Sequence, residues 1–159
     1  MSRHKSREII LCLAFEREYR GESGCESILG QPVGDGDIRR IYEMLSEREG
    51  PPAAGGDMEA DDYEYIKRTY LGVFANLEQI DDLIASASIN WKNSRISKVS
   101  MALLRIAVYE MLHSEDVEVS IAINEAVELS KKYDREDAYA FVNGVLGAIA
   151  KTLPAETPE

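Results

Sequence analysis

AINEAVELSKKYDREDAYAFVNGVL, residues 122 to 146, holds two helical stripes separated by a charged break. Ala122, Ala126, Leu129 and Tyr133 recur at steps of four, three and four, which places them on one face of a helix. Ser120 is positioned to cap that helix, Glu125 lies near its start, and Lys131 and Lys132 lie near its end, as the helix dipole favours. After Asp134-Arg135-Glu136-Asp137, a second stripe runs through Phe141, Val145 and Ile149, with Asp134 as its expected cap. Asn143-Gly144 would mark a hairpin between alternating strands. Here the flanks keep a helical period, so Gly144 belongs inside the helix, where it costs about 1 kcal/mol relative to Ala. Close approach of a neighbouring helix is the simplest offset. None of this is catalytic.

The same periodicity organises the rest of the chain. A first helix is expected from about Ser2 to Tyr19, ending before Gly21 to Gly24, with Gly30 to Gly36 as a loop. Asp37 is expected to cap a second helix carrying Ile38, Ile41, Tyr42 and Leu45. Gly50 to Asp57, with its PPAAGG, cannot hold a helix. Tyr63, Ile66, Tyr70, Val73, Leu77, Ile80 and Ile84 then predict one long helix from about Asp61 to Ala85. Ser88 to Ser94 reads as a joint between bundles, with Trp91, the single tryptophan, plugging the seam. Ser97 caps a helix reaching His113 whose apolar residues surround most of its circumference, which makes it central. Its one interior charge, Arg105, needs a carboxylate, and Glu125 or Glu128 is the expected partner. Pro154 to Glu159 reads as a frayed tail.

Composition narrows the function classes. The 159 residues, 45% hydrophobic and 30% charged, suffice for one domain or two small intimate subdomains. No apolar run approaches the roughly 20 residues of a membrane span. Arg3, Lys5 and Arg7 precede the apolar run Ile9 to Phe15, but Glu16, Arg17 and Glu18 follow without a small-residue cleavage site. The segment therefore reads as an amphipathic first helix of a cytoplasmic protein. Cys12 and Cys25 are too few for a disulfide framework, and Cys12 is expected in the core. The net charge of −11 opposes nucleic-acid binding unless cations are concentrated. Residues 1 to 7 hold three of the 18 Lys and Arg and no acid, leaving 15 cations against 29 acids elsewhere. The terminus is thus the place where this acidic chain could hold phosphate.

Three motifs in order, LLRIAVYEML (Leu103 to Leu112), AINEAVELSKKY (Ala122 to Tyr133) and EDAYAFVNGVL (Glu136 to Leu146), resemble the bacterial antitermination family NusB. The resemblance is dense in the C-terminal half and carried in the N-terminal half by Arg3 to Phe15. It implies an all-α fold of two packed three-helix bundles with six to seven helices, here expected as residues 1–86 and 87–153 with a tail at 154–159. It also implies binding of boxA RNA together with NusE, a small-subunit ribosomal protein, and entry of the pair into an RNA polymerase antitermination complex.

On that resemblance Arg3, His4, Lys5 and Arg7 are the expected RNA contacts, suited to phosphate and to an unpaired strand. Phe141 matches a family phenylalanine near the RNA, where a ring can stack on a base for about 1–3 kcal/mol; a core role on the stripe with Val145 competes with this. Asp137, one turn earlier, is a helix cap or a base-edge acceptor. Lys98 and Met101, at the start of the central helix, are the expected NusE contacts, although this chain has Ser100 where family members often carry an acid. A self-associating helical protein without RNA binding of its own, such as a homodimer, is the alternative. Catalysis, cofactors and metals are not expected. Glu110 and His113 form half of a di-iron motif, which needs a second copy and two further glutamates, while His4 is the only other histidine.

Overall fold

Residues 1–22, 31–50, 57–91 and 96–154 are described by the computed structural model, and every regular element among them is helical. The elements are α1 (Arg3–Glu22), α2 (Asp35–Glu49), α3 (Ala60–Ala75), α4 (Leu77–Ala87), a 3-10 turn (Ile89–Trp91), α5 (Lys98–His113), α6 (Val119–Tyr133) and α7 (Ala138–Thr152). No described helix is long and apolar enough to cross a membrane. The expected loop at Gly30–Gly36 is described only from Gln31. The PPAAGG segment, Cys25 and the tail beyond Pro154 lie outside the described residues.

The contacts divide the chain into two units, Met1–Ala75 and Asn76–Glu159. The apolar spacing that predicts one helix from Asp61 to Ala85 therefore spans two. Asn76 leaves the helical conformation at φ −114° and ψ 19°, while Ile80 N–H donates to its carbonyl to start α4. Among the described residues the first unit holds three α-helices and the second four, within the expected six to seven.

In the first unit α1 and α2 run antiparallel, since Lys5 meets Glu49 at one end and Glu16 meets Arg40 at the other. Their facing stripes, Ile9, Ile10 and Leu13 of α1 with Ile38, Ile41 and Leu45 of α2, are buried together with Ile66, Tyr70 and Val73 of α3. Cys12 is only half-buried, so it flanks this core rather than filling it. Arg17 ties the three helices. Its guanidinium donates to the carbonyls of Gln31 and Pro32 at 2.7 and 3.5 Å and to Tyr70 Oη at 3.4 Å, and lies 3.6 Å from Asp37. Asp37 is not the first residue of α2; it stands in the first turn and accepts from Gly34 N–H at 3.4 Å.

In the second unit α5 is central, with Leu103, Leu104, Ile106, Ala107 and Val108 buried, as its all-round apolar pattern predicts. Ser97 caps it by accepting Ser100 N–H at 3.0 Å. Arg105 does not pair with Glu125 or Glu128. It forks onto Asp81 of α4 at 2.9 and 3.0 Å, while Glu128 pairs with Lys131. The spacing of α5 and α6 suggested the wrong helix, because the planar fork selects whichever carboxylate faces it squarely. α6 begins at Val119 with Glu118 in the cap position, two residues before the expected Ser120.

Candidate nucleic-acid interface

The basic tip is built by a cap. Ser2 Oγ accepts Lys5 N–H at 3.2 Å, so Arg3, His4 and Lys5 form the first turn of α1 and Arg7 stands one turn further. No acid occupies that turn. Cations there face the positive end of the helix dipole, a placement that costs stability and needs compensation from elsewhere. The compensation arrives from α2 and α3. Arg3 meets Asp61 at 2.8 Å and Asp62 at 3.6 Å, with its guanidinium 4.2 Å over the Tyr65 ring. Lys5 meets Glu49 at 2.6 Å and Glu8 at 3.5 Å, and the terminal amine lies 3.6 Å from Asp62. Glu49 ends α2, where an acid is as ill-placed as Lys5 is at the start of α1. The pair corrects both helix ends at once.

The four RNA contacts expected at this tip do not share one exposure. Arg3 is 39% exposed and Lys5 22% at the side chain, whereas Arg7 as a residue is 5% exposed. Arg7 is thus a buried residue, 6.0 Å from the Tyr65 ring centre, whereas Arg3 and Lys5 reach solvent. His4 is half-buried in the same turn.

Asp137 and Phe141 belong to α7 in the second unit. Asp137 occupies the N-cap position without a side-chain capping bond, so the cap expected of it is not made, and the residue is exposed. Phe141 is 8% exposed and packs edge-on against Trp91, with ring centres 5.3 Å apart. Its core role prevails in this conformation. Trp91 also explains Gly144, because a Cβ there would lie 2.9 Å from the indole Cζ2. A side chain, not a neighbouring helix backbone, makes the close approach.

Asp134 caps no helix start. It ends α6, and one carboxylate oxygen accepts from Ser97 Oγ at 2.6 Å and Ser100 Oγ at 2.5 Å while the other accepts Arg135 N–H at 2.8 Å. Burial alone would raise its carboxyl, but the hydroxyls of Ser100 and Ser97, the Arg135 N–H and the Arg135 charge hold it below the ordinary carboxylate range. This latch joins the α6–α7 junction to the start of α5, where Lys98 and Met101 are both half-buried. It also brings a carboxylate beside Ser100. Among the described residues no cluster of three metal-ligating side chains occurs.

What these features define is a protein whose described regular elements are all helical, with a basic first helix turn paired to carboxylates and ordered polar junctions in the second unit. The chain belongs to the NusB family, whose profile matches residues 4–151. A transcription antitermination protein NusB of Acetivibrio thermocellus is 40% identical over 151 residues, covering 95% of this chain and 90% of that protein. The one from Clostridium perfringens is 38% identical over 155 residues, covering 96% and 99%. Among solved structures, NusB of T. maritima superposes with a TM-score of 0.69 at 30% identity, covering 96% of this chain and 92% of that one. A NusB chain in a complex of antitermination factors NusB and NusE with dsRNA gives 0.64 at 26% identity, covering 96% and 100%.

Proposed function

We propose that this chain is a transcription antitermination adaptor that binds boxA-type RNA together with NusE and carries the pair into an RNA polymerase antitermination complex. The observation that carries this reading is the tip of α1, where Arg3 and Lys5 are held at the surface at a dipole-unfavourable position. Family membership and the likeness to a NusB–NusE–RNA complex support it. Arg3, Lys5 and the neighbouring His4 engage phosphate and sugar. Asp137 offers its carboxylate to a base edge, and the Phe141–Trp91 pair shapes the start of α7 that presents it. NusE meets the start of α5 at Lys98 and Met101, which the Asp134 latch holds in place. Linked binding equilibria then accomplish recruitment without chemistry.

A gel shift of boxA-type and scrambled RNA, each with and without NusE, tests the reading. Binding should prefer the boxA sequence and strengthen when NusE is present. Equal affinity for both RNAs, or no effect of NusE, would contradict the adaptor role.

A further inference from the structure

Arg3 and Lys5, the partly exposed cations of the candidate RNA site, each already hold a carboxylate brought from a distant part of the first unit. Arg3 is paired with Asp61, a residue whose side chain is 77% exposed, and Lys5 with Glu49, which is 34% exposed. Neither acid is required for burial. Asp62, by contrast, is buried and accepts Glu59 N–H at 2.9 Å at the start of α3, so it serves the fold. Phosphate reaching Arg3 and Lys5 must displace the two exposed carboxylates or share the cations with them.

We infer that Asp61 and Glu49 set the RNA affinity of the α1 tip by competing with phosphate for Arg3 and Lys5, an inference that rests on the RNA-binding reading above. The carboxylates act as internal phosphate substitutes. They hold the cations extended and ordered, lower the affinity for any polyanion, and leave binding dependent on a ligand that supplies further contacts. A guanidinium over an aromatic face and beside Asp62 stays positioned when Asp61 loses its charge, because Tyr65 and Asp62 remain. Removing the two charges therefore leaves Arg3 with Asp62 and Lys5 with the buried Glu8, which opens the site to phosphate without dismantling it.

The test is an equilibrium titration of the full chain with boxA-type RNA at saturating NusE, comparing wild type, Asp61→Asn/Glu49→Gln and the charge-matched control Glu47→Gln/Glu64→Gln. Exposed ion pairs are each worth up to about a fivefold factor, so the first variant should bind about 3- to 20-fold more tightly at low salt. The gain should shrink toward unity near 1 M salt, where screening reaches about 3 Å. An unchanged or weakened affinity in Asp61→Asn/Glu49→Gln, with wild-type binding intact, overturns the inference and leaves the adaptor reading standing. So does an equal gain in the control, which would assign the effect to net charge. Absence of RNA binding by all three proteins removes the adaptor reading and this inference with it.

Discussion

Gly144 and Gly147 share one helix and one residue type but have opposite surroundings. An added Cβ at Gly144 would press on Trp91 at 2.9 Å, while one at Gly147 meets nothing within 4 Å. Glycine in a helix interior costs about 0.5–1 kcal/mol relative to Ala. Gly147→Ala should therefore raise stability by about that amount in denaturant titration, whereas Gly144→Ala should lower it by about 1–3 kcal/mol through overpacking. Because Trp91 is the only tryptophan, its emission reports the displacement directly. A spectrum shifted in Gly144→Ala and unchanged in Gly147→Ala is expected; identical behaviour of the two variants would contradict the packing account. That Gly144 stands inside a helix was legible from the period of its neighbours. Its packing partner was not, since Trp91 lies more than fifty residues away in sequence and belongs to a turn with no helical pattern of its own.

Between elements, two polar junctions organise the second unit. The Arg105–Asp81 fork joins α5 to α4 in a half-buried setting. Asp81→Asn should destabilise by about 1–3 kcal/mol, while Glu128→Gln, which loses only an exposed pair with Lys131, should cost no more than about 0.5 kcal/mol. Equal costs would return Arg105 to the partner that sequence spacing suggested. The Asp134 latch carries a pH signature. Its carboxyl is held below the ordinary value in the folded protein, so its contribution is complete above pH ~4, the ordinary carboxylate value, and is lost as pH falls through the lowered one. The stability difference between wild type and Asp134→Asn, about 1–3 kcal/mol near neutrality, should narrow under acid unfolding as pH falls below about 4. A difference constant with pH would show that the charge of Asp134 does not hold the junction. Local pattern recovered the positions of α5, α6 and α7 closely, yet it joined α3 to α4. The steps of three and four from Tyr63 to Ile84 run through Asn76 without a fault, and a break in backbone dihedrals leaves no mark on apolar spacing.

For the whole molecule, the location of positive charge was legible and its state was not. Counting along the chain finds three cations and no acid in residues 1 to 7, but folding brings Glu49, Asp61 and Asp62 onto them. Charge bookkeeping in sequence is blind to pairs separated by more than forty residues. Burial likewise withdraws Arg7 from a cluster that reads as uniform. What remains at the tip is a pair of partly exposed cations, Arg3 and Lys5, each beside a carboxylate. The central claim is that Arg3 and Lys5 hold RNA phosphate at that tip. The most direct measurement is the salt dependence of boxA-type RNA binding in the presence of NusE, for wild type and for Arg3→Ala/Lys5→Ala. A single strand loses about 0.7 in log–log slope per neutralised phosphate. The double variant should bind more weakly and with a slope shallower by about 1.4, whereas a slope equal to wild type would place the RNA elsewhere on the molecule.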